Sequence, residues 1–109
     1  TLNEWADQHG VGFCLDENTI PVRAAVRGAC ELLGLDPLYI ANEGKLVVAC
    51  APADADNVLS TMKAHPLGVN AAIIGEAVID PHRFVQMKTS FGGKRIVDWL
   101  AGDQLPRIC

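Results

Sequence analysis

Lys45-Leu46-Val47-Val48-Ala49-Cys50-Ala51-Pro52 decides the fold class. From Leu46 to Cys50 the run is continuously apolar, which predicts a strand covered on both faces. Pro52 then opens a helix to about Ala64, with Ala55, Val58, Leu59 and Met62 on its inner face. His65-Pro66-Leu67-Gly68 closes that helix. Toward the N-terminus, a second helix is predicted from about Val22 to Leu33. Val22, Ala25, Val26, Ala29 and Leu33 share one face at helical spacing, while Arg23, Arg27 and Glu31 line the wet one. Pro21 precedes it and Gly34 ends it, the usual asymmetry of helix ends. Before it lie a short strand, Val11 to Leu15, and the tail of a helix, Leu2 to Gln8. Toward the C-terminus, three strands are predicted: Ala71 to Ile79, Arg83 to Lys88 and Lys94 to Leu100. Gly75 marks a bulge or a close backbone approach in the first of these. A plain hairpin turn at Phe91-Gly92-Gly93 separates the other two. This order of elements predicts an α+β fold, a layered mixed β-sheet with packed helices.

The bulk properties set the frame around that fold. A chain of 109 residues is one domain by length, expected over residues 1–100 and followed by a flexible polar arm over 101–109. Half the residues are apolar, which argues against disorder, and no apolar run reaches the roughly 20 residues needed to span a bilayer. The net charge of −4 and the scattered Lys and Arg speak against a nucleic-acid partner. The first residue is Thr1 and no signal sequence follows it, so a chain cut from a longer protein is expected. Cys14, Cys30 and Cys50 lie in apolar runs and read as buried small hydrophobes. No Cys-x-x-Cys pair or Cys/His metal spacing occurs, and a reducing cytoplasm fits.

Cys109 stands apart, at the end of the polar segment Ala101 to Cys109. The terminal carboxylate pushes its thiol pKa up, while Arg107 pulls it down. An ordinary thiol is expected, whose reactivity comes from the site it enters. The nine residues after Leu100 reach about 30 Å when fully extended, and Pro106 stiffens the end. This suits an arm that presents sulfur in a deep pocket, and it equally suits a loose tail with an incidental Cys. Ala41-Asn42-Glu43-Gly44-Lys45 reads as a tight turn with positive φ. Glu43 there is a general-base candidate if partly desolvated, or simply a solvated turn carboxylate. His9, His65 and His82 stand beside Gly or Pro at element ends, where turn and capping roles are expected. Trp5 and Trp99 are expected as core or interface anchors.

The ending Gln104-Leu105-Pro106-Arg107-Ile108-Cys109 is similar to the C-terminal signature of the HypE family of hydrogenase maturation factors. Three internal stretches resemble the same family, in order along the chain. They are Pro21-Val22 through Val26-Arg27-Gly28 with Cys30 to Asp36, then Ala41 to Leu46, then His65-Pro66-Leu67-Gly68 with Ile74-Gly75-Glu76. The resemblance implies the C-terminal domain of a two-domain protein of the aminoimidazole ribonucleotide synthetase-like superfamily, partly ferredoxin-like in arrangement. The N-terminal domain of such a protein carries most of the ATP site and the homodimer interface.

The same resemblance implies a carbamoyl dehydratase. A separate carbamoyltransferase, HypF, loads a carbamoyl group onto the Cys109 sulfur, and ATP with Mg²⁺ drives its dehydration to a thiocyanate. The cyano group passes to iron on a HypC–HypD scaffold and becomes a cyanide ligand of the [NiFe]-hydrogenase site. By match to the family's Asn-Glu-Gly-Lys stretch, Glu43 is implied as the proton-handling carboxylate. Asn42, Lys45 and Arg107 are supporting candidates, and no resident metal ligand is implied. These 109 residues are expected to bind no nucleotide and to be inert alone, because phosphoryl transfer depends on positioning ATP and metal.

Two rival classes remain open. One is a non-catalytic module, docking a partner or sensing redox state through Cys109. A sensor needs a resolving Cys nearby, which three buried cysteines would not supply. The other is a synthetase domain acting on a ribonucleotide, which has no use for a terminal Cys arm.

Overall fold

The computed structural model describes residues 1–99. The chain divides into two compact units. The first comprises Thr1–Pro21 with Ala49–Asp98, and the second contains Val22–Val48 together with Trp99.

The first unit is built on a four-stranded mixed sheet of β1 (Gly12–Asp16), β2 (Gly75–Val78), β3 (Val85–Lys88) and β4 (Lys94–Ile96). Its spatial order is β2-β1-β3-β4. Only the central pair is parallel, with Phe13 beside Val85 and Leu15 beside Met87; β2 and β4 flank it antiparallel. Side chains alternate between the two faces of a strand, so Phe13, Leu15, Val85 and Met87 share one face, and all four are buried. Helix α1 (Leu2–His9) covers that face. Its Ala6 is fully buried, and Trp5 lies with its ring centre 6.4 Å from that of Phe13. The Asn3 side chain donates to the carbonyl of Val97 at 3.0 Å, tying the helix to the chain leaving β4. Gly10 ends α1 at φ 66°, a left-handed conformation that glycine adopts without steric cost.

Gly75 is a close backbone approach. A Cβ there would meet the carbonyl oxygen of Cys14 on β1 and lie 2.9 Å from the Cα of Leu15. Both obstacles are backbone of the central strand, which cannot rotate away. Gly75→Ala is therefore expected to destabilise the sheet by about 1–3 kcal/mol, the usual cost of overpacking. Urea unfolding monitored by circular dichroism checks it, and an unchanged midpoint would contradict the close approach.

In the second unit, α2 (Ala24–Leu33) ends at Gly34 with φ 68°, and the Leu35 N–H returns to the Cys30 carbonyl at 2.8 Å. Helix α3 (Ala55–Ala64), in the first unit, follows a short turn of 3₁₀ helix at Pro52–Asp54. Ala55, Val58, Leu59 and Met62 are half-buried while their neighbours on the helix are exposed, as the apolar period predicts.

Several expectations are corrected. Lys45–Cys50 forms no strand: Leu46 is 73% exposed, and Val47 and Val48 are also exposed. β-Branched residues favour a strand only where a neighbouring ladder and packing partners are present. Cys50 is likewise exposed, whereas Cys30 is buried and Cys14 half-buried. On α2 the predicted inner face is open, with Ala25, Val26, Ala29 and Leu33 all exposed, and Cys30 is its buried residue. Periodicity locates an apolar stripe without saying what covers it. The last three strands are shorter than predicted, and Trp99 is more than half exposed.

Candidate functional site

The turn at 41–45 holds three of the candidate site residues. Asn42, Glu43 and Lys45 are all exposed. Gly44 adopts φ 69°, the positive value expected for this turn. The structure thus brings an amide, a carboxylate and an ammonium onto one solvent-facing turn, immediately before the exposed apolar run that begins at Leu46. A carboxylate so placed is open to a proton-bearing group arriving from outside the domain. Arg107, Cys109 and the arm 101–109 lie outside the described residues.

The histidines take local structural roles. His65 Nδ1 accepts the N–H of Leu67 at 3.1 Å and caps the 3₁₀ turn Pro66–Gly68. This assigns the proton of a neutral His65 to Nε2. His82 stacks on Phe84 with ring centres 5.2 Å apart. Its N–H donates to Asp80 Oδ1, while the Phe84 N–H donates to Oδ2. His9 sits in the last turn of α1.

Two features escaped sequence reasoning. A shallow groove is lined by Cys50 and, from the start and one face of α3, by Asp54, Asn57, Val58, Thr61 and Met62. The exposure of Cys50 also removes the premise that no second thiol is accessible to react with Cys109. The other feature is the β3–β4 turn, which is clamped from 73 residues away: the Ser90 N–H donates to Glu17 Oε2 at 3.0 Å.

Among the described residues, no group of three or more His, Cys, Asp or Glu side chains converges where it could hold a metal ion. These residues do not fit a magnesium site, and the ion implied by the resemblance is not assigned to them. Nor is any helix among them long and apolar enough to cross a membrane.

Residues 1–88 match the family described as AIR synthase related protein, C-terminal domain, and the chain belongs to that family. Among individual proteins, the chain is 67% identical over 109 residues to carbamoyl dehydratase HypE of Bradyrhizobium diazoefficiens, covering all of this chain and 32% of that protein. It is also similar to two solved structures. One is the hydrogenase maturation protein HypE in complex with ATP, with TM-score 0.89 and 40% identity over 99% of this chain and 33% of that one. The other is a HypE–HypF complex, with TM-score 0.83 and 41% identity over 89% of this chain and 31% of that one. The chain thus spans about a third of the length of the curated relatives it matches.

Proposed function

We propose that this chain is the C-terminal, carrier-bearing part of an ATP-dependent carbamoyl dehydratase that makes the cyanide ligands of [NiFe]-hydrogenase. The observation that carries the reading is the 67% identity to a carbamoyl dehydratase HypE over the whole chain, arm included. The similar structures with ATP and with HypF support the co-substrate and the donor enzyme.

In this reading the thiolate of Cys109 attacks the carbamoyl carbon presented by the carbamoyltransferase, forming an S–C bond as the bond from that carbon to its activating leaving group breaks and the leaving group stays with the donor enzyme. ATP phosphorylates the carbamoyl oxygen, converting a poor leaving group into phosphate. Removal of the nitrogen proton then expels phosphate and leaves S–C≡N on Cys109. Overall one water is lost from the carbamoyl group, its oxygen departing on phosphate. The covalent link to sulfur holds the intermediate through both steps. One sulfur then has to reach donor, ATP site and acceptor in turn, each visit being intramolecular once the partner is docked. ATP, with magnesium, binds in the remainder of the protein, which also forms the homodimer. The HypC–HypD scaffold receives the cyano group, and the reaction takes place in the cytoplasm. The isolated 109 residues are inert.

Glu43 is the proposed proton acceptor, with Asn42 and Lys45 orienting the arm and Arg107 favouring the thiolate. Glu43→Gln keeps the shape of the side chain and removes the base. In the full-length protein it is expected to lower cyano formation by about 10²–10⁴-fold, the usual contribution of a positioned base, while S-carbamoylation proceeds. Mass analysis of the C-terminal peptide reads both stages. Cyano formation at the unaltered rate would remove Glu43 from the mechanism.

A further inference from the structure

We draw no further inference here: the strongest candidate, the shallow groove that Cys50 lines with Val58, Thr61 and Met62 of α3, carries nothing, because the chain spans about a third of its relatives' length and nothing in the structure shows what covers that face.

Discussion

Cys109→Ser in the full-length protein is expected to abolish cyano-group formation, lowering turnover on the order of 10³-fold or more, as loss of a covalent nucleophile does. The substitution changes one atom, but that atom forms the bond that carries the group. A cysteine sulfur is a strong nucleophile near neutral pH, whereas a serine hydroxyl supplies essentially no alkoxide. Phosphate release dependent on carbamoyl donor should therefore vanish. The binding energy for ATP and HypF, located elsewhere, should be retained. The thermal melting temperature should match that of the unaltered protein. Donor-dependent phosphate release continuing in the serine variant would place the carrier on another residue.

Met87→Ala is expected to cost about 2–5 kcal/mol, the range for emptying a buried Met position. Met87 and Val85 are the largest fully buried side chains among the described residues, at 2% and 1% exposure. Met87 lies on β3, between Leu15 of β1 and Arg95 of β4. It belongs to the face covered by α1, so no solvent-side relaxation fills the void. Against a typical domain stability of about 5–15 kcal/mol, this loss is a large fraction. At roughly 4–8 °C per kcal/mol for a domain of this size, the midpoint should fall by at least about 8 °C. Thermal unfolding of the 109-residue chain followed by circular dichroism reads the shift. A fall of only one or two degrees would mean that the β1–β3 face is not the core.

Local features of this fold were legible in the sequence because local chemistry sets them. Gly34 ends its helix through a conformation other residues resist, and the α3 stripe follows from helical period alone. The Gly75 approach was readable because a glycine inside a strand pattern marks a bulge or a backbone passing too close for a side chain. The run Leu46–Cys50 misled because its composition specifies a preference for burial, while a ladder partner depends on the rest of the molecule. The same holds for the apolar stripe of α2. Contacts such as Glu17 to Ser90, or Arg83 to Asp7 at 3.4 Å, join residues more than 70 positions apart, and no spacing rule points to them.

The candidate site divides along the same line. The positive φ at Gly44 was written in the Asn-Glu-Gly-Lys turn. A role for Glu43 was not, because an exposed turn carboxylate has the same local signature whether or not it moves a proton. Cys109 stood out as a thiol with no apolar surroundings to explain it, but its chemistry came from the family resemblance. Cys50 shows the converse error: apolar neighbours in sequence did not make it a buried residue.

The most direct test is the mass of the C-terminal peptide of the full-length protein, after incubation with HypF and carbamoyl phosphate under conditions that load the donor. The account predicts that Cys109 first gains the mass of a carbamoyl group. That adduct should then lose the mass of one water, only when hydrolysable ATP is supplied to the loaded protein. A Cys109 peptide that stays unmodified while HypF is demonstrably active would contradict the carrier role and, with it, the assignment of this chain to carbamoyl dehydration.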